Sequence, residues 1–144
     1  MSTRFPQQAQ KIMNERFHKD SLIALATTEN GVPWVRTVDG FYEEGAFYVI
    51  TYSLSNKMRQ IQKNPNVAIS GDWFTAQGVG DNLGHILDEN NREMADKLRT
   101  AFAEWYQNGH INEADPNTCI LRIRLTKGVL FAKGTRFEID FCEE

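Results

Sequence analysis

Apolar residues recur along this chain with helical spacing in some stretches and with strand spacing in others. Over residues 5–18, Phe5, Ala9, Ile12, Met13 and Phe17 lie at offsets of four, seven, eight and twelve from the first, the spacing of one helix face. SLIALATT (21–28) follows as a mostly buried strand. Glu29-Asn30-Gly31 then predicts a turn, because Asn and Gly accept positive φ. VPWVRTVDG (32–40) reads as a second strand with Pro33 at its start. A loop holding Gly40 and Gly45 leads into AFYVITY (46–52), apolar on both faces and rich in β-formers.

Ser55 is placed to cap a helix running to about Asn64, before Pro65. Met58 and Ile61 would be its buried side. NVAISGDWFTAQGVG (66–80) holds one or two strands, after which Gly78, Gly80 and Gly84 break the pattern. From Asn90 to Asn108, Met94, Leu98, Ala101, Phe102 and Trp105 share a helix face. Asn90 and Glu93 resemble a capping box, with Gly109 at the stop. TCILRIRLTKG (118–128) alternates strictly, and VLFAKG (129–134) and RFEIDF (136–141) predict two short closing strands. These six or seven strands come mainly as consecutive hairpins, which implies antiparallel pairing. A closed barrel removes the exposed edges. The fold class is therefore mainly β, an antiparallel barrel with flanking helices. No internal repeat, linker or low-complexity stretch interrupts residues 1–144, which read as a single domain.

A formal net charge of −3 and scattered basic residues argue against a nucleic-acid partner. No stretch approaches the ~18 apolar residues of a membrane span, and the polar start MSTRFPQQAQ is unlike a secretory signal. Cys119 and Cys142 have neither metal-site nor disulfide-framework spacing. They are expected to be reduced thiols in a cytoplasmic protein. His18, His85 and His110 are scattered, with no carboxylate or cysteine at ligand spacing, so no metal site is expected.

The segment with most chemistry is TYSLSNKMRQIQKNPNVAIS (51–70), taken with PWVRTV (33–38). Thr51, Ser53 and Ser55 place hydroxyls at a strand end, and Lys57 stands in the first turn of the helix that follows. A cation there opposes the helix dipole by roughly 0.3–1 kcal/mol, but the same place is a natural anion site. Arg36 shares a strand face with Trp34 and Val38, and a hairpin centred near Glu43–Glu44 would set it opposite Thr51. Its guanidinium suits phosphate oxygens. Two readings stay open at this level. Either these groups gather on a phosphate, or Lys57 and Arg59 form a solvated helix face while Arg36 pairs with Glu43 or Glu44.

At these residues the chain resembles the split-barrel flavin proteins related to pyridoxamine 5'-phosphate oxidase. It is most similar to their small general-stress or nitroimidazole-reductase-like branch. The likeness runs from about Phe5 to Phe141 and is strongest in LIALATTENGVPWVRTVDGFYEEGAFYVITYSLSNKMRQIQKNPNVAIS. It implies a six-stranded, Greek-key split β-barrel and a homodimer with FMN at the subunit interface. By the same likeness, Arg36 and Lys57 match the residues that hold the FMN phosphate. Thr51, Tyr52 and Ser53 match the strand end lining that site, and the backbone of Val35, Arg36, Thr37 and Val38 would follow the isoalloxazine edge. Trp73 or Gln77 would reach the partner subunit's pocket.

The ending GTRFEIDFCEE lacks the histidine-bearing segment with which the vitamin oxidase grips pyridoxal phosphate, so oxidation of a vitamin B6 phosphate is not expected. The expected function is an FMN-dependent oxidoreductase passing electrons from a nicotinamide donor to a small organic acceptor. The alternatives are a non-enzymatic flavin or haem binder in a stress response, with His85 as the haem candidate, and a deazaflavin in the same barrel. A pure interaction domain with a vestigial pocket is the remaining reading.

Overall fold

The computed structural model describes residues 5–108 and 110–142. Helix α1 (Gln7–Phe17) buries Ala9, Met13 and Phe17, as the spacing predicts. Strands β1 (Ser21–Glu29) and β2 (Val32–Glu43) join through Asn30 and Gly31, with φ of 52° and 80°. β3 (Ala46–Tyr52) leads into α2 (Asn56–Lys63), where Ser55 Oγ accepts from the Met58 amide. β4 (Asn66–Gly71) and β5 (Phe74–His85) precede α3 (Arg92–Ala101) and α4 (Ala103–Tyr106). β6 (Thr118–Ala132) and β7 (Thr135–Asp140) complete the chain. Gly109, expected as a helix stop, lies outside the described residues.

All strand pairs are antiparallel, in the order β3-β2-β1-β4-β5-β6-β7, and a β3–β6 ladder closes the first six into a barrel. This is the split barrel with flanking helices, and β7 hangs from β6 as an extra strand. One core fills it: Phe17 of α1 meets Phe47 and Phe74 at ring distances of 5.5 and 5.6 Å. A second core lies where Leu98 and Phe102 cover Phe41, Ile86 and Ile120.

Four local expectations need correction. Gly40 is inside β2, not in a loop. Gly78, Gly80 and Gly84 do not end β5, which runs on to His85. A Cβ on Gly78 would stand 2.8 Å from the Arg124 carbonyl oxygen, and one on Gly80 would stand 2.9 Å from Ile61 of α2. These glycines let strand and helix approach, and they break nothing. β6 is continuous through Gly128, its register shifted by a bulge near Thr126. The helix expected over 90–108 is divided at Phe102 into α3 and α4. Its entry is capped by Asp88, whose carboxylate accepts from the Asn90 amide, and Asn91 makes no side-chain cap bond, so the Asn90–Glu93 box does not form.

Candidate functional site

The site arises where two paired strands part. β2 and β3 are joined only over Phe41–Glu43 and Ala46–Tyr48. Beyond that, β2 stays on β1 and β3 stays on β6. Between the parted edges opens a cleft of about 460 Å³. Val38 and Asp39 line it from β2, Val49, Ile50 and Thr51 from β3, and Lys57 from α2. Trp105, Asn108, His110 and Ile111 form its remaining wall. Strand edges that have left a ladder carry unpaired amides and carbonyls, so this wall presents backbone donors as well as side chains.

The parting also corrects the expected register. Arg36 is opposite Leu25 of β1, and Thr51 is opposite Cys119 of β6, so the two are not cross-strand neighbours. Arg36 points to the side of Leu25, toward the barrel interior. One guanidinium nitrogen donates to Thr27 Oγ1 at 2.7 Å and to the Leu25 carbonyl at 3.3 Å. The other donates to Gln60 Oε1 at 3.1 Å. Gln60 is buried on α2 and itself accepts from Thr27 Oγ1 at 2.5 Å. Arg36 has no carboxylate partner among the described residues, and Glu43 pairs with Lys97 instead.

Lys57 Nζ donates to Thr51 Oγ1 at 2.7 Å. No carboxylate lies within salt-bridge distance of it among the described residues. Burial, then the positive charge of Arg36, pushes its pKa below the usual lysine range. Arg59 is different: its guanidinium meets Glu29 at 2.6 Å on the surface, which is the solvated-face reading. Cys119 sits beside Thr51, and burial pushes its thiol up to about 11, so it is an inert packing group.

The other predicted residues divide. Val38 lies in the cleft, whereas Val35 and Thr37 are exposed on the opposite face of β2. Tyr52 is exposed. Ser53 is held by Asn117, its hydroxyl donating to Asn117 Oδ1 at 3.0 Å and its amide to the Asn117 carbonyl. Trp73 is exposed at the β4–β5 turn, and Gln77 opens onto shallow grooves along β4 and β5. His85 Nε2 donates to the Glu113 carbonyl, so the histidine of the cleft is His110. Sequence reasoning missed Asp39, Asn108, His110, Thr27 and Gln60. Gln60 had the one available signal, a polar position beside Met58 and Ile61 on the buried side of a short helix.

An antiparallel barrel that parts between β2 and β3, with Lys57 in the cleft and no carboxylate partner on Lys57 or Arg36 among the described residues, defines the class as a split barrel. Residues 9–131 match the family described as pyridoxamine 5'-phosphate oxidase, and the chain belongs to that family. A NimC/NimA family protein from Clostridium acetobutylicum has the same fold at a TM-score of 0.65. It is 22% identical, over 94% of this chain and 96% of that one. General Stress Protein 26 from Bacillus anthracis str. Sterne is 19% identical over 85% of this chain and 92% of its own, at a TM-score of 0.64. An FAD-binding protein from Mesorhizobium loti is 16% identical, over 82% and 90% of the two chains, at 0.61. No curated protein matches. No helix among the described residues is long and apolar enough to cross a membrane.

Proposed function

We propose that this chain is one FMN-binding domain whose cleft between β2 and β3 holds the cofactor, with Arg36 and Lys57 on its phosphate. The observation that carries the reading is the pair of half-buried cations, close enough for one to depress the other and, among the described residues, lacking a carboxylate partner. Such a pair is electrostatically incomplete, and a dianionic phosphate is what completes it. Thr51 adds a hydroxyl, and the start of α2 adds amides and the positive end of a helix dipole. The cleft volume is within the range of small-ligand sites. The FAD-binding relative and the family match support a flavin, and a terminal phosphate favours FMN among flavins.

A bound flavin supplies hydride and electron chemistry, for which the protein provides binding and electrostatics. The activity proposed is that of an oxidoreductase between a nicotinamide donor and a small organic acceptor. Exposed Leu22 and Val35, which share one face of the β1–β2 pair, support a second copy of the chain covering that face, as a homodimer. FMN titration of the purified protein, followed by NADH and NADPH oxidation assays, tests the proposal. Absence of FMN binding refutes it. Bound FMN without turnover refutes the oxidoreductase part alone.

A further inference from the structure

Gln60 is the one polar residue among the buried side chains of α2, and it is only 2% exposed. Both ends of its amide are used. Oε1 accepts the Thr27 hydroxyl at 2.5 Å and an Arg36 Nη2 hydrogen at 3.1 Å. Nε2 donates to Glu29 Oε1 at 3.2 Å. These partners fix the orientation, because a guanidinium only donates and a carboxylate only accepts.

Charge is arranged around this amide in two groups. On the outer side Glu29 is paired with Arg59 at 2.6 Å. On the inner side stand Arg36 and, along the cleft, Lys57, neither with a carboxylate partner among the described residues. Of the five N–H donors of Arg36, one goes to the Leu25 carbonyl, one to Thr27 and one to Gln60. Its Nε–H and one Nη2–H have no partner among the described residues. A carboxylate at position 60 would make the same two acceptor bonds, but it would also neutralise Arg36.

We propose that Gln60 is a positioning residue that orients Arg36 while leaving its charge uncompensated, so that the site selects anionic over neutral flavins. The inference rests on the flavin reading above. Oε1 holds the guanidinium in place, and the uncharged amide stands between it and the Glu29 carboxylate. The charge left over is the one that a ligand phosphate meets.

The test measures Kd for FMN and for riboflavin, its phosphate-free form, and takes their ratio. The wild type is compared with Gln60→Met and with the exchange Glu29→Gln/Gln60→Glu. The exchange keeps the net charge and a hydrogen bond between the two side chains, and it moves the carboxylate onto Arg36. The wild type should bind FMN more tightly than riboflavin. The exchange should shrink that preference by about 10- to 150-fold, the weight of one charge-assisted contact, and Gln60→Met should shrink it less. A merely bracing Gln60 gives the reverse order, because Glu keeps both acceptor bonds and Met keeps neither. That reverse order, or an unchanged preference in the exchange, overturns the inference. A measurement on the wild type alone does not depend on how the variants fold. Nitrogen-15 NMR should show the Arg36 Nε–H moving with FMN and little with riboflavin, and an equal shift with both overturns the inference. Binding of neither flavin to the wild type overturns the flavin reading, and the role of Gln60 with it.

Discussion

Lys57→Met removes a half-buried ammonium and keeps an unbranched side chain of similar length. In the ligand-free protein that ammonium has one hydrogen bond, to Thr51 Oγ1 at 2.7 Å, and is repelled by Arg36. Losing the bond costs about 0.5–1.5 kcal/mol. Removing a desolvated charge that has no counter-ion among the described residues returns about 1–3 kcal/mol. The net expectation is a neutral to stabilising change of about 1 kcal/mol, or roughly 2–4 °C in Tm for a chain of this size. FMN binding should move the other way. One charge-assisted contact to phosphate is worth about 1.5–3 kcal/mol, which weakens Kd by about 10- to 150-fold. Thermal unfolding by circular dichroism without ligand gives the first quantity, and quenching of FMN fluorescence gives the second. Opposite signs in the two assays mark a group retained for binding at the expense of folding. A variant that unfolds more easily and binds FMN like the wild type would refute the reasoning and make Lys57 a structural residue.

Gly78→Ala should destabilise the fold by about 1–3 kcal/mol in urea unfolding, because the new methyl meets the Arg124 carbonyl oxygen at 2.8 Å and backbone cannot move aside cheaply. An unchanged midpoint would contradict the close approach of β5 and β6. Gln60→Leu leaves Thr27 and one Arg36 N–H without their acceptor, so it should cost about 1–3 kcal/mol and weaken FMN binding by loosening Arg36. A stability change below about 0.5 kcal/mol would contradict that bracing role. Arg59, then Gln60, holds Glu29 down to about 2. Between its ordinary value and that one, the native state binds fewer protons than the unfolded chain. The Glu29 contribution is therefore present above about pH 4.5 and lost as pH falls toward 2. Arg59→Ala should flatten this part of the acid-unfolding curve, and an identical curve would show that the surface pair contributes nothing.

Elements with local causes were legible in the sequence. The spacing of Ala9, Met13 and Phe17, the Asn30-Gly31 turn and the Ser55 cap each act within a few residues. Features set by distant chain were not. Gly78 and Gly80 look like strand breakers until Arg124 and Ile61 are seen pressing on them. The expectation that Arg36 faces Thr51 assumed that β2 and β3 stay paired, but their ladder ends at Phe41 and Tyr48 while β3 stays on β6 throughout. In the site, Thr51 and Lys57 were visible because strand end and helix start are adjacent in sequence. Asp39 and His110 were not, because the division of the helix at Phe102 and the packing of Trp105 onto Asp20 decide what faces the cleft. The apolar spacing that placed Trp105 on a core-facing stripe carried no information about its indole N–H.

The measurement that tests the central claim most directly is an FMN titration, by visible absorption and fluorescence, of the wild type beside Arg36→Ala/Lys57→Ala. The two contacts together are worth on the order of 3–6 kcal/mol, at about 1.5–3 each. The wild type is expected to show a bound-flavin spectrum, and the double variant a Kd weaker by about 10²- to 10⁴-fold. A wild-type spectrum that FMN does not change, or equal affinity in the two proteins, would contradict the assignment of these cations to a flavin phosphate.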